Sequence, residues 1–159
     1  MADADTIFSA IYEGNIDKVD SLLAQDEKLL EARDDKGFSP LRAAVQGGFG
    51  EIVEFLLVLE ANPNSRDKTG KTPLHEAPDP VIADMLLARN ADVDVKDDDG
   101  MTPLHYAVIR GQKEVLELLA ECGADLNKPD GRGVTPLQLA RQHNHGLIAR
   151  ILEEAGADE

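Results

Sequence analysis

Basic residues are scarce in this chain: Lys and Arg number 16 against 31 Asp and Glu over 159 residues, giving a formal charge of -15 spread along the whole sequence. Such a field repels phosphate backbones and anionic lipid and attracts basic surfaces, so neither nucleic acid nor membrane is expected as a partner. Cysteine occurs once, as Cys122. It can form no internal disulfide, and no second residue at ligand spacing makes it a metal site. No stretch reaches the roughly 18 apolar residues of a membrane helix, and the opening MADADTIFSA lacks the basic start and apolar run of a secretory signal. Glycosylation, myristoylation and prenylation patterns are also missing. A cytoplasmic monomer without metal or cofactor is the expectation.

What the chain does contain is a sentence said four times: FSPLRAAVQGG, KTPLHEAPDP, MTPLHYAVIRG and VTPLQLARQHN. The prolines Pro40, Pro73, Pro103 and Pro136 are spaced by 33, 30 and 33 residues. A fixed period of that size means stacked units, each too small to bury its own apolar face. Every unit opens with Asp and a nearby Gly, as in Asp34-Asp35-Lys36-Gly37 and Asp97-Asp98-Asp99-Gly100. Asp bonds its own backbone and Gly accepts a positive φ, so these segments read as tight turns.

Ser39, Thr72, Thr102 and Thr135 come next, each before a proline, and a hydroxyl N-cap with Pro at the first helical position starts a helix. The first helix of each unit carries a narrow face such as Leu41 and Ala44 or Leu104 and Ala107. The second carries a wider stripe such as Val115, Leu116, Leu118 and Leu119. Gly123 and Gly156 stand where C-caps belong, Asn90 can take the same left-handed conformation, and Glu60 is expected to take it at a cost.

The order of turn, TPLHxA helix, second helix and closing GAD resembles the ankyrin repeat across nearly the whole chain. The resemblance implies an all-α ankyrin-repeat solenoid of helix-turn-helix units joined by β-turn fingers. A single domain, 1–159, then comprises an N-terminal capping repeat (1–33), repeats at 34–66 and 97–129, a shortened repeat at 67–96 and a C-terminal cap (130–159). The shortened repeat lacks three residues, and Pro78-Asp79-Pro80 replaces its glycine turn. Its first helix is expected to last little more than one turn, with Asp79 capping the second. The resemblance further implies that His75 and His105, the histidines of TPLH, tie neighbouring turns together through their ring nitrogens.

Three fragments imitate catalytic or metal motifs and fail at required positions. Gly70-Lys71-Thr72 lacks the upstream glycine of a phosphate loop, where Ser65 stands; His75-Glu76-Ala77-Pro78-Asp79 ends in Asp rather than His; a calcium loop on Asp97 and Asp99 would begin at Val95. His143 and His145 are left as the one histidine cluster on which a metal-dependent enzyme could be built. No Ser-His-Asp or Cys-His set can be assembled, so a non-catalytic chain is expected.

In the family, the turn tips and the exposed side of each first helix form a concave surface that binds other proteins. Mapped onto this sequence, that surface comprises Asp35, Lys36, Phe38, Gln46, Lys68, Lys71, Asp98, Asp99, Met101, Tyr106, Ile109, Arg132 and Val134, with Tyr12 at the capping end. Apolar side chains interrupted by carboxylates suit a partner protein whose surface is basic or mixed apolar and basic. Adaptor and stoichiometric inhibitor are the roles this implies.

Overall fold

The computed structural model describes residues 4–158. These contain nine α-helices, two short 3₁₀ turns and no strand. The chain divides into two compact units, Met1–Ala91 and Asp92–Glu159. The division falls within the shortened repeat, after its last helix.

The first unit holds α1 (Ala4–Tyr12), α2 (Ile16–Gln25), a 3₁₀ turn at Glu27–Glu31, α3 (Pro40–Gly47), α4 (Gly50–Val58), a 3₁₀ turn at Pro73–Glu76 and α5 (Pro80–Leu87). The α1/α2 and α3/α4 pairs are hairpins; α1 packs on α3, α3 on the Pro73–Glu76 turn, and α4 on α5. The interior is aliphatic, with Ile7, Ile11, Leu41, Ile52, Leu56, Ile82 and Leu86 fully buried. Each such side chain contributes about 1.5–3 kcal/mol by leaving water. Helix starts match the sequence: Ser39 Oγ accepts from the Arg42 N–H, and Asp79 Oδ1 accepts from Ile82. The shortened repeat keeps only four helical residues before Ala77, as its deletion and paired prolines require. Arg89 donates to the Leu57 carbonyl and so supplies a partner to the open end of α4.

The second unit holds α6 (Pro103–Arg110), α7 (Lys113–Glu121), α8 (Pro136–Gln142) and α9 (Gly146–Glu154). The α6/α7 and α8/α9 hairpins pack through α6 and α8, burying Leu104, Leu116, Leu119, Leu137 and Leu152. Thr135 and Gln138 cap α8 reciprocally, each side chain accepting from the other's backbone N–H. Glu60 and Asn90 take the left-handed conformation at φ 65° and 63°. Asn144 takes it as well, at φ 59°, as suits an asparagine just after a helix.

Candidate protein-binding surface

One device builds all four turns. The first aspartate's backbone N–H donates to the carbonyl four residues on, and its own carbonyl accepts from the glycine three on: Asp34 with Phe38 and Gly37, Asp67 with Lys71 and Gly70, Asp97 with Met101 and Gly100, Asp130 with Val134 and Gly133. The carboxylate Oδ1 then accepts two more N–H groups inside each loop. For Asp34 these are Lys36 and Phe38 at 3.0 and 2.7 Å, and for Asp130 they are Arg132 and Val134 at 2.8 and 2.9 Å. Asp67 and Asp97 repeat the pattern. Each aspartate thus ties its loop together from within and fixes the frame that carries the tip side chains.

In the first unit, Asp35, Lys36, Lys68 and Gln46 are exposed, while Phe38 and Lys71 are half-buried. Neighbouring fingers are joined by Lys68 N–H donating to the Lys36 carbonyl at 3.3 Å and by Lys68 Nζ donating to the Asp35 carbonyl at 2.6 Å. Phe38 lies against Arg42, whose guanidinium carbon is 4.1 Å from the ring centre, with Lys36 Nζ at 5.8 Å. Arg42 reaches Asp67 Oδ2 through Nη2 at 2.9 Å and Nε at 3.3 Å, and the two side chains are only 4% and 3% exposed. Burial pushes the Asp67 carboxyl up, but hydrogen bonds from Thr69, Arg42 and Lys71 outweigh it and hold the group below the ordinary carboxylate value.

In the second unit, Asp98, Asp99 and Arg132 are exposed, and Tyr106, Ile109 and Val134 are half-buried. Met101 is only 8% exposed, so its side chain packs inside the finger and offers little area to a partner. The Tyr106 hydroxyl donates to Asp97 Oδ2 at 2.7 Å, and Arg110 stacks over the ring at 5.4 Å. Gly131 N–H donates to the Asp99 carbonyl at 2.8 Å, bringing two fingers together. Asp130 is held below the ordinary carboxylate value: burial raises it, and the Val134 and Arg132 donors overcome that.

A family model described as Ankyrin repeats (3 copies) matches residues 7–79 and 78–159. The chain belongs to the ankyrin-repeat family. Curated relatives include the mouse 2-5A-dependent ribonuclease, 34% identical over 46% of this chain and 10% of the relative. A rat Arf-GAP with coiled-coil, ANK repeat and PH domain-containing protein 2 is 40% identical over 45% of this chain and 9% of the relative. The human transient receptor potential cation channel subfamily A member 1 is 38% identical over 47% and 7%. The matched part of this chain thus spans a tenth or less of the length of each. Ankyrin repeats are generally non-catalytic protein-interaction modules.

The ankyrin histidines are buried, and each Nδ1 accepts from the backbone N–H of its own Thr72 or Thr102 at 3.0 Å. For His105 this leaves the ring proton on Nε2, facing the Val134 carbonyl electrostatically without completing a hydrogen bond of good geometry. Burial holds His105 below the ordinary imidazole value, against the opposing pull of Val134 and Asp130. The functional reading of the sequence missed Arg42, which stands where the other two repeats carry His75 and His105. SPLR in place of TPLH was the signal. His143 and His145 stack with ring centres 6.0 Å apart, and His145 Nε2 lies 3.1 Å from the Ile109 carbonyl, joining the last repeat to the one before. Among the described residues no group of three His, Cys, Asp or Glu is assembled as a metal centre.

Among the described residues no helix is long and apolar enough to cross a membrane.

Proposed function

We propose that this ankyrin-repeat chain is a non-catalytic module that binds a protein partner, as an adaptor or a stoichiometric inhibitor. The observation that carries the reading is the repeated finger: its own aspartate ties the loop from within while charged side chains at the tips are exposed. Preorganised tips lose little conformational freedom on binding, which is where rigid recognition surfaces gain affinity. The first unit offers Asp35, Lys36, Phe38, Gln46, Lys68 and Lys71. The second offers Asp98, Asp99, Tyr106, Ile109, Arg132 and Val134, with Met101 beneath them. A net charge of -15 favours a partner surface that is basic or mixed apolar and basic, and steers its approach. The relatives that share these repeats have names denoting different activities, a ribonuclease, an Arf-GAP and a cation channel, so no one activity goes with the repeats.

The test is capture from the native source with wild type and with Asp35→Lys plus Asp99→Lys, two tip changes that leave the loop hydrogen bonds in place. Specific partners should be recovered by wild type and lost with the reversed charges. Equal recovery by both would remove the tips from recognition.

A further inference from the structure

Four second helices close on a left-handed residue followed by alanine: Glu60, Asn90, Gly123 and Gly156. That shared register lets the ends be compared. The residue just before each is Leu59, Arg89, Cys122 and Ala155, and the one before that is Val58, Ala88, Glu121 and Glu154. Only the first end carries two large aliphatic side chains there, and they are exposed, Val58 by 59% and Leu59 by 40%. Core packing does not demand a leucine at this place. Arg89 holds the same position one repeat later and turns back to the Leu57 carbonyl.

Leu59 instead stands on a groove of about 570 Å³ within the first unit, a volume in the range of small ligand sites. The apolar lining is Leu23 and Ala24 at the end of α2, Leu30 of the Glu27–Glu31 turn, and Leu59 itself. Its walls are fixed. Asp26 Oδ1 accepts from the Lys28 N–H at the start of the turn, Leu29 is buried beneath it, and Glu31 Oε1 accepts from the Asn62 N–H beyond α4 at 3.4 Å. The charged residues of the lining are both acidic, Asp20 on α2 and Glu27 on the turn, and both are exposed. Among the described residues neither has an ion pair, whereas Lys18 and Glu31 on the same two elements are paired with Glu13 and Arg33.

We propose that this groove is a second protein-docking surface, which takes a short segment of a partner presenting an aliphatic side chain flanked by lysine or arginine. The aliphatic group covers Leu23, Leu30 and Leu59, and the basic flanks meet the two unspent carboxylates at the rim. Charge decides the occupant. A second copy of this chain would bring its own net charge of -15 against an acidic rim, and an anionic lipid surface would be repelled in the same way. None of the lining residues belongs to a finger, so this surface goes beyond the finger-borne reading and stands or falls apart from it.

The test is an NMR titration of the full chain with the acetylated, amidated peptide Lys-Leu-Leu-Lys, with Glu-Leu-Leu-Glu and Lys-Ser-Ser-Lys as comparators. Lys-Leu-Leu-Lys should shift the Leu23, Leu30 and Leu59 methyl signals in a saturable way, with a Kd of about 1 mM or tighter, and the comparators should bind several-fold more weakly. Leu59→Arg, which copies the residue of the next repeat end, should abolish the response. Asp20→Asn with Glu27→Gln, both at exposed positions, should weaken it roughly fivefold and remove the preference over Glu-Leu-Leu-Glu, and serves if the Arg variant is poorly folded. Flat titrations, shifts confined to the 34–38 and 67–71 fingers, or unchanged binding in the carboxylate variant would overturn the proposal. So would sedimentation showing self-association that Leu59→Arg removes, since the groove would then belong to a second copy. Partner capture through the finger tips is read with Asp35 and Asp99 variants, so failure here leaves that reading intact.

Discussion

Replacing Arg42 by Met tests how the first full repeat is held together. The guanidinium and the Asp67 carboxylate are almost wholly removed from water, Nη2 lies 2.9 Å from Oδ2, and the ring of Phe38 covers the cation. Taking away one partner of a buried pair leaves the other charged without compensation, a loss of about 3–5 kcal/mol. Asp67 keeps the Thr69 and Lys71 donors on Oδ1, which places the expected cost near the lower end, at about 3 kcal/mol. With a urea dependence of about 2 kcal/mol per molar, the unfolding midpoint should fall by about 1.5 M. Asp67→Asn removes the stranded charge while retaining an acceptor for the loop. The double variant Arg42→Met/Asp67→Asn should therefore lie well above the sum of the two losses, with a coupling of about 1–3 kcal/mol. An Arg42→Met protein within about 0.5 kcal/mol of wild type, or strictly additive losses, would refute the ion pair as a structural element.

Other perturbations address the turns, the core and the buried titratable groups. Gly100→Ala would put a Cβ 2.5 Å from the Gly131 nitrogen at φ +74°, and backbone cannot rotate aside, so a loss of about 2–3 kcal/mol is expected from strain and the lost finger-to-finger bond. Gly123→Ala, at φ +87° with nothing near its Cβ, should cost only about 1 kcal/mol, and equal urea midpoints for the two would contradict the close approach. Leu104→Ala, at a fully buried position, should cost about 2–5 kcal/mol in the same melts, and an unchanged midpoint would contradict its burial. Stability should fall on acidification in two stages. His105 is held below its unfolded value, so the unfolded chain protonates first and stability declines as pH drops below about 6.5; Asp67 and Asp130, also depressed, add a second decline below about pH 4. Thermal midpoints that stay level from about pH 7 to 5 would contradict the first stage.

The period of the TPLH phrase was enough to place the hairpins, because turn aspartate, hydroxyl cap and proline act locally and each leaves its mark within a few residues. The same local chemistry made the shortened repeat readable: Pro78 and Pro80 forbid a continuous helix, and Asp79 caps α5. Contacts between units of the pattern were harder to read. Nothing adjacent to Arg42 says that its partner is Asp67, or that Tyr106 spends its hydroxyl on Asp97, since both depend on how fingers and helices meet in space. Met101 shows the same limit, for its register beside Phe38 and Val134 suggested a common exposed row, while the packing of its own finger buries it. Side chains committed internally, as those of Arg42 and Tyr106 are, leave no mark in a motif.

Whether the fingers and first helices form the recognition surface is decided by hydrogen exchange on the full chain, alone and in complex with a partner captured from its source. Added protection is expected over the turn tips and first helices, at residues 34–46 and 97–110, with the solvent side of α4 and α7 unchanged. Protection confined to α4 and α7, or none anywhere on a chain that still holds its partner, would contradict a finger-borne interface.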